Sequence, residues 1–327
     1  MNTEINKIKI FNLSKRVFEQ TALELFRYQY HQIPIFREFV DTLKVDINII
    51  DSIYNIPFLP IQFFKSHKVF NEKIHSEKFF ESSGTTSETC SKHFIHDLTL
   101  YEASILHSFN ANYGNPAAYV ILALLPHYLE RDNSSLVYMV NFLMKESKQR
   151  EAGFYLNNFN DLELQIKLLT KTGKRVILFG VTFALLDFFE AINFNLDNVI
   201  IIETGGMKGK RKEITKEEFY QKLSEKIPIE NIHSEYGMTE LLSPSFSKSN
   251  QLFIPPTTAK MLVRDVADPF FINNFGRGAL NIIDLANVHS CSFIATDDLV
   301  EINQKGHFEI LGRLSNSDIR GCNLMYH

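Results

Sequence analysis

The sequence has no tryptophan and only three cysteines in 327 residues. Cys90, Cys291 and Cys322 lack the paired spacing of a disulfide framework, and no run of Cys and His residues has metal-ligand spacing. Cysteine usage of this kind is typical of a reducing compartment. The sequence therefore predicts a cytoplasmic protein that is not held together by disulfides.

An excess of positive charge is also missing, since the formal net charge is -4. A general affinity for nucleic acid needs a basic footprint, so a nucleic-acid partner is not expected, although a local basic site for phosphates stays open. Residues 1–15 lack the apolar stretch of a secretory signal. The longest apolar runs, residues 117–125 and 176–189, fall short of the roughly 20 residues that a membrane span needs.

Phenylalanine is abundant, with 29 residues. Phenylalanine side chains bury a large apolar area. This usage favours a bulky hydrocarbon core, and an apolar acyl pocket is the alternative.

The hydrophobic pattern changes twice along the chain and predicts an α/β protein. Residues 1–80 have apolar positions at helical spacing, broken at residues 56–65 by two prolines that indicate an extended segment. Residues 81–250 alternate apolar runs with helical patterns, as in a mainly parallel sheet covered by helices. Residues 251–327 have the short strands of a β-rich subdomain. We expect these three ranges to be the domains.

Individual elements follow from the same pattern. We expect buried strands at 119–125, 175–179 and 198–203, and helices at 136–145, 182–192 and 214–227, with Ser134 or Ser135 as an N-cap. Four further strands are expected at 279–284, 292–296, 299–303 and 307–311.

A loop of small hydroxylated residues at 82–87 is the first of several motifs that suit a nucleotide. Backbone N–H groups and hydroxyls in such a loop can surround a triphosphate, and the candidates are Ser83, Gly84, Thr85 and Thr86. The Gly-Lys-Ser/Thr ending of a mononucleotide P-loop is missing. An ordinary polar turn is the alternative interpretation.

The second motif is Tyr236-Gly237-Met238-Thr239-Glu240. Tyr236 offers an aromatic face for adenine, Gly237 permits a tight chain reversal, and Thr239 can donate to an α-phosphate. Glu240 is a hard oxygen ligand of the kind that Mg²⁺ prefers. The alternative for Glu240 is an exposed helix carboxylate.

Asp297 and Asp298 close an apolar run, and Arg313 follows Gly312. The carboxylates can accept hydrogen bonds from both ribose hydroxyls, and the arginine can add a donor to ribose or phosphate. Paired acids at a strand end are otherwise often turn residues. In this order the motifs predict a site for ATP and Mg²⁺.

The ordered motifs resemble the adenylate-forming enzyme superfamily, and more closely the acyl-protein synthetases of bacterial luminescence, the LuxE type. The similarity runs from about residue 50 to the last residues. It rests on residues 56–60, 134–139, 180–186, 203–209, 284–287, 290–298 and 317–322.

The resemblance implies an adenylate-forming N-terminal-type fold, with a small C-terminal β-rich subdomain and no C-terminal lid domain. It also implies an activity: a fatty or other small-molecule carboxylic acid is activated as acyl-AMP and passed to a cysteine near the C-terminus. From there a partner acyl reductase would receive the acyl group. Under this resemblance residues 81–250 would be the nucleotide-binding core, and residues 251–327 would complete the site.

Residue roles follow from the matched motifs. Gly205 and Gly206 would frame the adenine together with Tyr236, and Cys322 would accept the acyl group. The acyl pocket would be lined by His127, Gly180, Val181 and Phe183. Alternatives stay open: Cys322 can be a small buried residue with Cys90 as the nucleophile, His127 a partly buried structural histidine, and residues 180–189 a fully buried helix.

Two departures from the family pattern concern the phosphate site. Residues 87–89 replace a glycine and a nearby lysine of the relatives, which leaves Lys92 as the nearest candidate for a catalytic lysine. The lysine that a lid domain would bring is also unassigned, with Lys65 and Lys208 as other contenders. An acyl- or aryl-CoA ligase, a carrier-protein ligase and a non-catalytic nucleotide-binding scaffold therefore remain alternatives.

Overall fold

The computed structural model describes residues 9–11, 13–82, 90–126, 133–196, 198–205, 214–249 and 252–314. The chain divides into two compact units. Unit 1 comprises Met1–Ser104, Thr239–Ser243 and Ile254–His327, and unit 2 comprises Ile105–Met238 and Pro244–Phe253. The three sequence ranges expected as domains stay a prediction.

The α-helices of the described part of the chain are α1 (Lys15–Gln32), α2 (Pro34–Thr42), α3 (Phe63–Ser66), α4 (Leu98–Tyr113), α5 (Ser135–Ser147), α6 (Phe159–Lys171), α7 (Thr182–Ala191) and α8 (Lys216–Ser224). Short polar residues begin several of them. The Ser14 hydroxyl caps α1 and the Ser134 hydroxyl caps α5. Thr215 and Glu218 form a reciprocal capping box at α8, which satisfies two backbone N–H groups that a helix start leaves unpaired.

The strands are β1 (Leu59–Pro60), β2 (Lys78–Glu81), β3 (Lys92–Ile95), β4 (Val120–Leu124), β5 (Gly153–Tyr155), β6 (Val176–Val181), β7 (Val199–Thr204), β8 (Ile232–Tyr236), β9 (Ser245–Ser247), β10 (Phe253–Ile254), β11 (Ala259–Arg264), β12 (Ile272–Asn273), β13 (Gly276–Asp284), β14 (Phe293–Ile302) and β15 (Phe308–Arg313).

Unit 2 contains the predicted parallel sheet. Its strand order is β5-β4-β6-β7-β8-β9, and every pairing is parallel except β8 with β9. Every residue of β4 and β6 is buried, because helices such as α5 and α7 pack on these strands and all-parallel sheets are covered on both faces. The predicted α/β class is confirmed.

Unit 1 contains an antiparallel sheet in the order β12-β11-β13-β14-β15, with β1 added in parallel to β14. The extended segment predicted at residues 56–65 is therefore only partly extended, since β1 is followed by the short helix α3. Strands β2 and β3 pair separately as an antiparallel ribbon.

The prediction of two strands at 292–296 and 299–303 is wrong, because β14 is continuous through Asp297 and Asp298. Asp298 pairs in register with Arg313, and Leu299 pairs with Gly312. A register irregularity follows between Leu299 and Val300. The adjacent acids therefore lie inside a strand and not in a turn.

Phenylalanine rings build the centre of unit 1. The Phe293 ring lies 6.0 Å from the ring of Phe26, 6.2 Å from that of Phe36 and 6.1 Å from that of Phe58. Edge-to-face and stacked rings at this separation are favourable beyond the area they bury. A bulky core thus accounts for these phenylalanines.

Among the described residues no helix is both long and apolar enough to cross a membrane.

Candidate functional site

The carboxyl ends of the parallel strands in unit 2 place several predicted residues at one edge of the sheet. Strand β6 ends at Val181, β7 ends one residue before Gly205, and β8 ends at Tyr236. In open α/β sheets this edge is where ligands bind. The Tyr236 ring packs edge-on against Phe253 at 5.9 Å.

Two partly buried glutamates lie at the same edge and were not among the predicted site residues. Glu203 accepts from the Thr182 hydroxyl, which also lies 2.6 Å from the Gly205 carbonyl oxygen. One hydroxyl proton cannot serve both acceptors. Burial raises the pKa of Glu203, and a protonated Glu203 can donate to Thr182 while Thr182 donates to Gly205.

Glu235 is the second partly buried glutamate. Desolvation raises its pKa to about 7, with the charge of Glu203 acting in the same direction and a hydrogen bond from Thr204 acting against it. Its carboxylate lies over Gly237, where an added Cβ would come 2.3 Å from Glu235 Oε1. The glycine at position 237 therefore leaves room for this carboxylate.

The predicted acyl wall lies at the junction of β6 and α7. Val181 is fully buried and Phe183 is 9% exposed. A Cβ at Gly180 would lie 2.6 Å from the Leu185 side chain, so this glycine permits close packing of the helix on its strand. Helix α7 is buried on nearly every side, and the role of these three residues in holding an acyl chain stays a prediction.

In unit 1 the Glu240 carboxylate is buried, with 4% of the residue exposed. Desolvation raises its pKa, whereas a hydrogen bond with Ser91 and the charges of Arg313 and Lys65 act in the opposite direction. Glu240 lies in a loop and not in a helix, so the alternative of an exposed helix carboxylate is wrong. Burial among cationic groups suits a carboxylate that binds a charged ligand.

Asp298 is also buried and accepts a hydrogen bond from Arg313 Nε at 2.8 Å. The arginine side chain is 77% exposed. The neighbouring Asp297 accepts from the Gln62 amide at 2.6 Å. Unit 1 therefore pairs Asp298 with Arg313, and the charges of Arg313 and Lys65 both favour the ionised form of Glu240.

Thr239 and Lys92 differ in their surroundings. The Thr239 carbonyl oxygen lies 2.8 Å from His93 Nδ1. The Lys92 ammonium lies 3.4 Å from Glu81 and 5.6 Å from the centroid of the Phe79 ring. Lys92 thus already has a carboxylate partner on the neighbouring strand.

Several predicted residues lie outside the described part of the chain. They are Ser83, Gly84, Thr85, Thr86, His127, Gly206, Lys208 and Cys322. Of the other cysteines, Cys90 is partly exposed and Cys291 is fully buried. Burial raises the pKa of Cys291 to about 12, which makes it a core residue and a poor nucleophile.

The described donor atoms fit a magnesium nucleotide. Mg²⁺ is usually held by one or two carboxylates together with phosphate oxygens, and Glu240 is a carboxylate of that kind. In the described ranges no group of three or more His, Cys, Asp or Glu side chains could hold a metal by itself. A metal at Glu240 would therefore need oxygens from the nucleotide.

Comparison with known proteins gives an independent result. Residues 10–102 match the family described as "Acyl-protein synthetase, LuxE". The resemblance to the LuxE-type acyl-protein synthetases is confirmed. None of the curated proteins compared with the chain matches it significantly.

Solved structures of adenylate-forming enzymes share the fold of this LuxE-like chain. ATP-bound MatB from Rhodopseudomonas palustris matches with a TM-score of 0.55 at 15% identity, over 76% of this chain and 49% of MatB. O-succinylbenzoate coenzyme A synthetase (MenE) from Bacillus subtilis, in complex with ATP and magnesium ion, matches with a TM-score of 0.52 at 14% identity, over 73% of this chain and 50% of MenE.

The amide bond synthetase McbA from Marinactinospora thermotolerans is similar in fold as well, with a TM-score of 0.52 at 14% identity, over 73% of this chain and 49% of McbA. The LuxE-like chain thus spans about half the length of these enzymes. At this identity the similarity establishes the fold, and the predicted adenylate-forming N-terminal-type fold is confirmed.

Proposed function

We propose that this chain uses ATP to activate a carboxylic acid and transfers the acyl group to a cysteine thiol. A carboxylate oxygen attacks the α-phosphorus of ATP, the bond to the β-phosphate oxygen breaks, and pyrophosphate leaves. The Cys322 thiolate then attacks the acyl carbon, the bond between that carbon and the AMP oxygen breaks, and AMP leaves. A thioester remains on the protein.

The observation that supports this reaction most directly is the match of residues 10–102 to the acyl-protein synthetase family. A second support is the fold shared with MatB and MenE, whose structures contain ATP. An extended apolar acid, such as a fatty acid, is the proposed substrate class.

In unit 1 we assign the charged groups to the nucleotide. Asp298 and Arg313 would bind the ribose, since a carboxylate accepts from hydroxyls and a guanidinium donates to oxygens. Thr239 would donate to the α-phosphate, and Glu240 would bind Mg²⁺, which neutralises phosphate charge. The 83–86 loop would surround the phosphates.

In unit 2 we assign Gly205, Gly206, Tyr236 and Gly237 to adenine. His127, Gly180, Val181 and Phe183 would hold the acyl chain. The support for both assignments is the position of the described residues at the carboxyl edge of the parallel sheet.

The cation that stabilises charge on the α-phosphate would be a lysine. Lys92 is the prediction from sequence, but its pairing with Glu81 competes with that role. The charge of Lys65 lowers the pKa of Glu240, which supports Lys65 as the alternative. Separate Lys65→Ala and Lys92→Ala variants decide between the two.

We also propose that the protein is cytoplasmic. An acyl reductase would take the acyl group from Cys322. The thiolate is the reactive form of a cysteine, and a neighbouring cation such as Arg320 would lower the pKa of its thiol.

The test is an acyl-labelling experiment with a panel of carboxylic acids. With ATP and Mg²⁺, label from the correct acid should stay on the denatured wild-type protein and be released by hydroxylamine. Cys322→Ala should lose the label while acid-dependent exchange between pyrophosphate and ATP continues. Cys90→Ala is the matched control and should retain the label. Label that persists in Cys322→Ala would move the acceptor elsewhere.

Transfer to coenzyme A is a second candidate, favoured by the fold that the chain shares with the coenzyme A synthetase MenE. Formation of acyl-CoA at a rate that Cys322→Ala leaves unchanged would favour this candidate. Saturable ATP binding without exchange for any acid would indicate a nucleotide-binding scaffold instead.

A further inference from the structure

The Thr239–Ser243 loop has no regular secondary structure, yet buried side chains bind its backbone along most of its length. His93 contacts the Thr239 carbonyl oxygen at 2.8 Å, and the Asn287 amide donates to the Glu240 carbonyl oxygen at 2.8 Å. Asp284 accepts from the Leu242 and Ser243 N–H groups at 2.8 and 3.1 Å. All of these residues belong to unit 1.

The geometry fixes the tautomer of His93. A carbonyl oxygen can only accept a hydrogen bond, so Nδ1 of His93 must carry the proton that it donates to Thr239. The side chain is fully buried, and desolvation lowers its pKa to about 4, against the opposing effects of Thr239 and Asn287. His93 is therefore a neutral imidazole with the proton on Nδ1 at physiological pH.

Nε2 of His93 makes no hydrogen bond to any described atom, and neither does Oδ1 of Asn287. A buried acceptor without a partner costs free energy. The hydrogen bonds that His93 and Asn287 do make go to the carbonyl oxygens of Thr239 and Glu240.

Asp284 holds the far end of the loop. Besides the two N–H groups, its carboxylate accepts from the Ser243 hydroxyl at 2.6 Å. The Ser243 hydroxyl oxygen also lies 2.8 Å from Thr258 Oγ1 and 3.0 Å from Ser104 Oγ. Side chains from distant parts of unit 1 therefore replace the strand or helix hydrogen bonds that this loop lacks.

We propose that His93 and Asn287, supported by Asp284, are positioning residues that hold Thr239 and Glu240 in place for the magnesium nucleotide. This inference rests on the proposed function. Because both carbonyl oxygens are held from inside unit 1, the backbone that carries the Glu240 carboxylate cannot rotate freely. Residues that orient a metal ligand in this way typically affect metal affinity about 10–100-fold when replaced.

The effect is larger for the metal-bound form of the nucleotide. If His93 acts through Glu240 as well as through Thr239, its loss weakens binding of MgATP more than binding of ATP in the presence of a chelator, because metal-free ATP makes no use of Glu240. A residue that only stabilises the fold would weaken both equally.

Calorimetric titration of MgATP and of metal-free ATP tests this difference. His93→Leu should bind MgATP about 10–100-fold more weakly, with a smaller loss for metal-free ATP. His93→Asn, whose amide can still donate near the position of Nδ1, should recover part of the affinity. His93→Leu should add nothing in a Glu240→Gln background, since residues that act as one unit are not additive.

His233→Leu is the matched control, because His233 is a buried histidine of unit 2 whose Nδ1 lies 3.1 Å from the Tyr113 hydroxyl. Its MgATP affinity should equal that of the wild type. Equal losses for MgATP and metal-free ATP, additive losses with Glu240→Gln, or the same loss in His233→Leu would overturn the proposed role.

A ¹⁵N NMR spectrum of the wild-type histidines tests the geometry without nucleotide. The signal that His93→Asn removes should come from a neutral ring protonated at Nδ1. A ring protonated at Nε2 would contradict the inference. If the wild type binds no ATP in any form, the proposed function fails and the role of His93 toward nucleotide fails with it, whereas the spectrum still decides whether His93 holds Thr239.

Discussion

Glu235 is the residue whose ionisation has the clearest consequence for stability. In the folded protein its pKa is raised from 4.5 to about 7, so the folded state binds the proton more tightly than the unfolded state. The stabilisation is complete below pH 4.5 and is lost as the pH rises through 7. One pKa unit corresponds to about 1.4 kcal/mol, so the loss is about 3 kcal/mol in total.

Glu235→Gln should remove this contribution, because an amide is neutral at every pH and can still accept from Thr204. Urea unfolding between pH 5 and 8 should give a free energy of unfolding that falls less steeply for Glu235→Gln than for the wild type. Some slope should remain, because burial also raises the pKa values of Glu203, Glu240 and Asp284. Glu230→Gln, at an exposed position, should behave as the wild type, and parallel curves for Glu235→Gln and wild type would contradict this assignment.

At the scale of single residues, the sequence predicts which residue types could bind a nucleotide, but it does not predict which side chains surround them in the fold. Thr239 and Glu240 were predicted from their motif, and Glu240 is indeed a carboxylate among cationic groups. His93 was missed because it lies 146 residues from Thr239 in sequence. The one available signal was the alternation in β3, where His93 and Ile95 both face inward, and alternation alone cannot identify a hydrogen-bond partner.

At the scale of elements, strands β13 and β15 on either side of β14 each carry an exposed arginine that pairs with a β14 carboxylate, which allows a matched comparison. Arg313 pairs with the buried Asp298, and Arg277 on β13 pairs with Glu301 at 2.7 Å with 73% of its side chain exposed. Exposed ion pairs contribute at most about 1 kcal/mol to stability. Arg277→Ala should therefore destabilise the protein by no more than that amount, whereas Arg313→Ala takes a donor from a buried carboxylate and should cost about 1–3 kcal/mol.

Their effects on the nucleotide should differ. Loss of a charge-assisted hydrogen bond to the ribose or phosphate costs about 1.5–3 kcal/mol, which corresponds to a loss of ATP affinity of roughly 10–100-fold for Arg313→Ala. Arg277→Ala should bind ATP as the wild type does. Calorimetry with ATP and urea unfolding of both variants make the comparison, and unchanged ATP affinity in Arg313→Ala would remove this arginine from the proposed site.

Helices and strands were predictable where a clear local sequence pattern, such as an apolar run or an N-cap residue, marked them. Strands β4, β6 and β7 were found from apolar runs, since a strand buried on both faces needs apolar side chains at every position. The helix α5 was found from its apolar spacing and from Ser134. The continuity of β14 was missed because two adjacent aspartates usually end a strand, and here Gln62 and Arg313, from distant segments, bind them instead.

At the scale of the whole molecule, the fold followed from the order of elements, whereas the division into units did not. Residues Thr239–Ser243 belong to unit 1 although the preceding strand β8 belongs to unit 2. The loop is hydrogen-bonded to His93, Asp284 and Asn287, and all three lie outside the 81–250 segment or at its start. Tertiary hydrogen bonds of this kind leave no periodic signal in a sequence.

The reaction proposed for the whole protein predicts that one oxygen atom of the carboxylic acid ends in AMP. If the carboxylate attacks the α-phosphorus, one of its oxygens becomes the bridge in acyl-AMP. That oxygen leaves with AMP when a thiol or hydroxylamine attacks the acyl carbon.

The most direct test therefore uses a carboxylic acid labelled with ¹⁸O in its carboxylate, incubated with ATP, Mg²⁺ and hydroxylamine. Mass spectrometry then measures the ¹⁸O in the nucleotide product. We expect AMP that carries a single ¹⁸O atom, formed only when the acid is present. Unlabelled AMP, or ADP with the label in inorganic phosphate, would contradict activation of the acid as an adenylate.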